Sequence, residues 1–107
     1  MDAHGAPSTD PLTDKEIEDR LAELPGWSVT DGSLTRAYTF DRHLRAAAMV
    51  IHVAQIQEEL NHHSELTLGY DTLTVAVNTH SAGQAVTALD FTLAHRVEEI
   101  ATGHGGR

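Results

Sequence analysis

Residues 42–60 constrain the fold most, because they carry the pattern of one long helix in the middle of the chain. The apolar face of this helix is predicted to consist of Leu44, Ala47, Ile51, Ala54 and Ile56. Asp41 stands where it can cap the first turn. The elements on either side must therefore cover a broad apolar surface.

Two pairs of short β-prone runs flank this helix. The first pair, residues 27–29 and 34–40, surrounds Asp31-Gly32, a dipeptide that favours a hairpin turn. The second pair covers residues 66–69 and 73–79, and in its second run apolar and polar side chains alternate. Such alternation is typical of a strand with one covered face.

Two further helices are marked by capping boxes, Thr13 with Glu16 and Thr87 with Asp90. Apolar residues follow each box at helical spacing, and Pro25-Gly26 ends the first pattern. The predicted order is αββαββα. We therefore expect an α+β fold in which a four-stranded antiparallel sheet carries three helices on one face.

The predicted folded unit is a single domain over residues 12–102. Residues 1–11 are polar, contain Gly and Pro and show no periodicity, and residues 103–107 are rich in Gly. Both ends are predicted to be flexible tails.

Charge and composition argue against several classes of protein. Sixteen acidic and seven basic residues give a net charge of −9, which would repel a phosphate backbone. No run of about 18 apolar residues or secretory signal pattern is present. With no cysteine, disulfides and Cys-based zinc sites are excluded. We therefore expect a cytoplasmic protein that neither binds nucleic acid nor spans a membrane.

The eight histidines are the unusual feature of the composition, because imidazole titrates near neutrality. Glu58 and His62 are four residues apart, so the carboxylate can lie over the ring if the central helix reaches that far. His63 follows directly, and the second hairpin is predicted to bring His80 back to this pair. The sequence thus predicts a histidine site built from His62, His63 and His80.

Simpler interpretations remain open from these residues alone. The two adjacent histidines could only cap free helix carbonyls, and the capping role of Asp90 explains that residue without catalysis. A metal site is less favoured, because neighbouring side chains such as those of His62 and His63 usually diverge.

The spacing of one set of polar residues resembles the signature of the pterin-4a-carbinolamine dehydratases. The matching positions are Glu58, His62-His63-Ser64, Tyr70, His80 and Asp90. Pro25-Gly26-Trp27 and the stretch 83–90 support the resemblance, which spans about residues 12–100. This chain departs from the usual pattern at Asn61, at Ser64, where the family usually has Pro, at Leu66, and in the stretch 84–87 before the last helix.

The resemblance implies a function and a set of site residues. Such enzymes dehydrate 4a-hydroxytetrahydrobiopterin to quinonoid dihydrobiopterin without a metal or organic cofactor. The implied catalytic residues are His62, His63, His80, Glu58 and Asp90. The implied substrate-binding residues are Asn61, His62, His63, Asn78, Thr79, His80 and Ser81.

The same resemblance implies a homodimer or homotetramer whose partner molecule is the small pterin substrate. It also leaves an alternative open, because related proteins serve as non-enzymatic dimerisation or assembly cofactors. Intact histidines favour the enzyme, since a module used only for binding has no physical need of this set.

Overall fold

Within residues 9–107, a four-stranded antiparallel sheet and three helices form the fold, which confirms the predicted α+β class and element order. The structure is a computed structural model that describes residues 9–107, so most of the predicted tail 1–11 lies outside the described residues. The helices are α1 (Asp14–Leu21), α2 (His43–Leu60) and α3 (Ala88–Ala101). The strands are β1 (Ser28–Thr30), β2 (Ser33–Thr39), β3 (Glu65–Leu68) and β4 (Thr72–Val77).

The sheet has the order β1-β2-β4-β3, so the two predicted hairpins join through β2 and β4. Leu34 pairs with Val77, and Tyr38 pairs with Leu73. Every second side chain of β4, at Leu73, Val75 and Val77, is buried. This confirms the strand with one covered face that the alternation predicted.

Both predicted capping boxes are present, at Thr13 and at Thr87. The predicted cap of α2 is wrong. The helix begins at His43, one residue later than predicted, so Arg42 occupies the N-cap position and makes no side-chain cap. Asp41 lies one residue further out, and its carboxylate pairs with Arg45 across 3.4 Å.

The predicted inner face of α2 is also mostly wrong. The buried residues of this helix are Ala46, Met49, Val53, Ile56 and Gln57. Leu44 and Ile51, by contrast, are 70% and 72% exposed. The helix is apolar on more than one side, so helical spacing alone could not identify the side that faces the sheet. Within residues 9–107, no helix is both long and apolar enough to cross a membrane.

The C-terminal segment 103–107 lies against the end of β2. The backbone N–H and carbonyl of Arg107 each bond to Thr39 across 2.9 Å, and Gly106 donates to the carbonyl of Ala101. The segment thus makes strand-like hydrogen bonds. The flexibility predicted for it stays a prediction.

A polar cluster ties α3 to the first hairpin. Oε1 of Glu98 accepts a hydrogen bond from Nε1 of Trp27 at 2.9 Å and another from the hydroxyl of Tyr38. The guanidinium of Arg36 lies over the Tyr38 ring, 4.3 Å from its centroid. A Cβ atom at Gly26 would lie 2.8 Å from Cζ of Arg36, so glycine leaves room for this stack.

Candidate active site

The site begins where α2 ends. Asn61 adopts the left-handed conformation, with φ 51° and ψ 44°, which Asn tolerates better than most residues. The N–H of Asn61 bonds to the carbonyl of Glu58, and the N–H of His62 bonds to the carbonyl of Gln57 at 3.0 Å. This pair of bonds is a Schellman motif. It ends the helix immediately before the two histidines.

His62 binds Asp90, a residue of α3 that is 28 positions away in the chain. Nε2 of His62 lies 2.5 Å from Oδ1 of Asp90. The histidine is 8% exposed and the aspartate is 0% exposed. The condition for a contact between His62 and Glu58 is not met, because α2 ends at Leu60 and the left-handed residue Asn61 takes His62 out of the helical path on which positions i and i+4 meet.

The second carboxylate oxygen of Asp90 holds the start of α3. Oδ2 accepts the backbone N–H of Thr87 at 2.8 Å and the hydroxyl of Thr79 at 3.0 Å. The two threonine hydroxyls are 2.7 Å apart. Asp90 is therefore both a helix cap and the partner of His62. The capping interpretation was correct but incomplete.

His63 pairs with Glu58 instead. Nε2 of His63 lies 2.7 Å from Oε2 of Glu58, and both side chains are exposed. An exposed pair of this kind contributes at most about 1 kcal/mol to stability. The pair still sets which ring nitrogen of His63 carries a proton when the ring is neutral.

His80 is the first residue of a short 3-10 turn, His80–Ala82, and it is exposed. Across residues 9–107, its ring makes no hydrogen bond with another side chain. The preceding residue, Thr79, donates to Asp90. One carboxylate thus binds His62 directly and fixes the backbone immediately before His80.

The remaining predicted residues surround this centre to different degrees. Asn61 and Ser81 are exposed, and the amide of Asn78 donates to the hydroxyl of Ser33 at 2.9 Å. Tyr70 lies outside the cluster of predicted site histidines. It is exposed and stacks on His43 at the start of α2. The roles of these residues in substrate binding stay predictions.

One residue near the histidines, Gln57, was missed by the sequence analysis. Oε1 of Gln57 accepts the backbone N–H of Ser64 at 2.8 Å and also its hydroxyl. Gln57 stands one helical turn after the buried Val53. A polar residue at that position of an inward-facing row is a signal of a buried hydrogen bond.

A surface cavity of about 280 Å³ lies away from the histidine cluster, and its lining includes Asp41, Arg45 and Arg107. It stands at the start of α2, whose 18 residues span about 27 Å, so the histidines at the other end do not form it. Over residues 9–107, no three His, Asp or Glu side chains converge in a way that could hold a metal ion.

Comparisons with known proteins agree on one family. Residues 10–100 match the sequence profile of the family described as pterin 4 alpha carbinolamine dehydratase. Relatives from Streptomyces avermitilis and Streptomyces coelicolor, both provisionally named pterin-4-alpha-carbinolamine dehydratase, are each 62% identical over 96 residues. Each of these alignments covers 90% of this chain and 95% of the relative.

Two solved structures share the fold. A protein from Brucella melitensis, described as a transcriptional coactivator/pterin dehydratase, has a TM-score of 0.81 at 32% identity, over 86% of this chain and 99% of its own. A pterin dehydratase-like RuBisCO assembly factor of the alpha-carboxysome has a TM-score of 0.57 at 17% identity, over 70% and 86%. The second likeness concerns the fold alone.

Proposed function

The chain belongs to the pterin-4a-carbinolamine dehydratase family, and we propose that it is a lyase that converts 4a-hydroxytetrahydrobiopterin to quinonoid dihydrobiopterin and water. In the cell this step would serve tetrahydrobiopterin recycling. The observation that carries the proposal is the buried pair of His62 and Asp90, 2.5 Å apart, beside the turn that bears His80.

The proposed reaction needs one acid and one base. The bond from C4a to its hydroxyl oxygen breaks, and that oxygen takes a proton and leaves as water. The proton on N5 goes to a base, and a double bond forms between C4a and N5. Two imidazoles in different surroundings can divide this work near neutral pH.

His62 is suited to one of these roles because its orientation is fixed. When the ring is neutral, the bond to Asp90 keeps the proton on Nε2 and leaves the lone pair on Nδ1. Nδ1 is then the atom that exchanges a proton with the substrate.

His80 is suited to be the second member of the acid–base pair. Its ring is exposed, while Thr79 holds its backbone against the Asp90 network. We assign His63 to substrate orientation, with Glu58 fixing its ring. No metal or organic cofactor takes part in the proposed chemistry.

The test is stopped-flow dehydration of a chemically generated 4a-hydroxytetrahydropterin. His62→Ala and His80→Ala should each lower kcat/KM by about 10² to 10⁴. The matched control is His95→Ala, since His95 is an exposed histidine of α3 outside this cluster. Near-normal turnover in either test variant would refute its assignment.

A second candidate function is a non-enzymatic dimerisation or assembly module. Leu44 and Ile51 are exposed seven positions apart on α2 and favour it, because large apolar side chains exposed on one helix face are typical of interaction sites. The same surface supports a homodimer or homotetramer of the proposed cytoplasmic enzyme. A protein that self-associates but neither binds nor dehydrates a pterin would support the module and exclude the enzyme.

A further inference from the structure

Gln57 holds both sides of the segment that carries the two histidines. Its backbone carbonyl accepts the N–H of His62 at 3.0 Å. Its side-chain Oε1 accepts the N–H of Ser64 at 2.8 Å, together with the Ser64 hydroxyl. The segment 62–64 is therefore fastened to a single residue of α2 at its first and last members.

Burial makes these contacts strong constraints. Gln57 is 5% exposed and lies among the inward-facing apolar residues of α2. A buried amide oxygen without a partner is costly, so a movement of Ser64 away from Gln57 would leave the oxygen unpaired. An amide oxygen has two lone pairs, and Ser64 occupies both.

The constraint acts on the site through geometry. His62 meets Asp90 from one end of the segment, and His63 meets Glu58 from its middle. Because the two neighbouring rings must point to different partners, the backbone between Gln57 and Ser64 has to keep one conformation. Within residues 9–107, the side-chain oxygen of Gln57 hydrogen-bonds to Ser64 and to neither ring.

We propose that Gln57 is a positioning residue, whose side-chain oxygen fixes the 62–64 segment so that His62 and His63 present their rings to the substrate in one orientation. This inference rests on the proposed dehydratase function. Loss of a positioning contact lowers kcat because the acid and base spend less time in reacting geometry.

The test compares Gln57→Met with Gln55→Met. Methionine has nearly the same length as glutamine but no acceptor oxygen, and Gln55 is an exposed glutamine of the same helix. Gln57→Met should lower kcat about 10- to 100-fold with KM close to that of the wild type. Gln55→Met should leave both constants unchanged.

Two readouts separate positioning from a general loss of structure. The Ser64 amide should exchange with solvent at least about 10-fold faster in Gln57→Met, and the ring resonances of His62 and His63 should shift. Gln57→Glu, which keeps an acceptor oxygen, should restore most of kcat. Ser64→Ala should lower kcat in the wild type but have no further effect in Gln57→Met, because the partner of its hydroxyl is already gone.

Unchanged kcat in Gln57→Met would overturn the proposal, as would faster amide exchange without any change in kcat or in the ring resonances. Ser64→Ala and Gln57→Met would also overturn it if their effects on kcat were independent, so that the double variant lost activity by the product of the two single factors. An inactive wild type would refute the proposed function instead, since amide exchange and ring resonances are measured without turnover. In that case unshifted His62 and His63 resonances in Gln57→Met would overturn the positioning role as well.

Discussion

Asp90 binds His62 with one carboxylate oxygen and caps α3 with the other. The group that starts the helix is therefore the group that orients the buried imidazole. Asp90 lies in the first turn of α3, where the helix dipole favours a negative charge. Folding of α3 and assembly of the proposed site depend on the same side chain.

Substitution of Asp90 should separate these two roles. Asp90→Asn keeps an oxygen that can accept from Thr87 but loses the charge that faces His62, so kcat/KM should fall by about 100-fold with a small loss of stability. Asp90→Ala should lose both activity and the cap. The control is Asp19→Asn, an exposed aspartate paired with Lys15. Equal stabilities of Asp90→Asn and Asp90→Ala would contradict the capping role.

The two capping threonines should differ in their contribution to stability. Thr13→Ala removes an exposed cap and should cost about 1 kcal/mol of unfolding free energy. Thr87→Ala also removes one hydrogen bond of the buried Thr79 hydroxyl, which keeps its bond to Asp90, and this adds about 0.5 to 1.5 kcal/mol. Urea unfolding of both variants measures the difference. Equal losses of unfolding free energy in the two variants would show that the hydrogen bond between Thr79 and Thr87 adds nothing to stability.

Stability should fall in alkaline solution because of Tyr38. Burial raises the pKa of Tyr38 well above its usual value of 10.0, and the hydrogen bond to Glu98 raises it further. The unfolded chain therefore releases this proton at a lower pH than the folded protein does. The contribution of Tyr38 to the free energy of unfolding is fully present below pH 10 and declines above it. The decline is at most about 1.4 kcal/mol for each pH unit.

The check is urea unfolding of the wild type and Tyr38→Phe between pH 8 and about pH 11. Tyr38→Phe should show a flatter dependence on pH, whereas the control Tyr70→Phe, at an exposed tyrosine, should behave like the wild type. Parallel curves for all three proteins would show that Tyr38 is not the group responsible.

Acid should loosen the contact between α2 and the C-terminal segment. Nδ1 of His52 and Nε2 of His104 are 2.8 Å apart, and burial together with the charge of His52 lowers the pKa of His104 below 6.5. The contribution to stability is therefore complete above pH 6.5 and is lost as the pH falls. His104→Gln should reduce this dependence in thermal unfolding, while His95→Gln should not.

Self-association should depend on the outer face of α2. Leu44→Glu combined with Ile51→Glu places charges on two exposed positions seven residues apart, so the fold should persist while the measured mass falls towards that of one chain. Light scattering after size-exclusion chromatography measures the mass. Gln55→Glu on the same helix is the control for added charge. An unchanged mass would show that the interface lies on another surface.

Sequence patterns predicted the elements better than their orientations. The capping boxes and the alternation in β4 are local, so they could be found without knowledge of the fold. The start of α2 was missed by one residue, which was enough to replace the predicted Asp41 cap with an Asp41–Arg45 pair. The wrong face of α2 was chosen because Leu44 and Ile51 are as apolar as the residues that are buried.

In the candidate site, too, the residue types were predicted better than their contacts. Spacing and resemblance selected the residue types, but Glu58 was paired with His62, whereas it binds His63. A left-handed turn at Asn61 decides this exchange, and one residue of a loop has no periodicity from which its conformation could be predicted. The cluster around Glu98 was not predicted at all, because its members come from three separate parts of the chain.

The amino-acid sequence by itself determined the order of helices and strands, the capping boxes of α1 and α3 and the family, because these depend on neighbouring residues and on their spacing along the chain. Only the tertiary structure decided that Asp90 meets His62, that His63 turns to Glu58 and that Gln57 fastens the segment between them. Those contacts depend on how α2 and α3 pack against the sheet, and packing brings together residues that no local pattern connects.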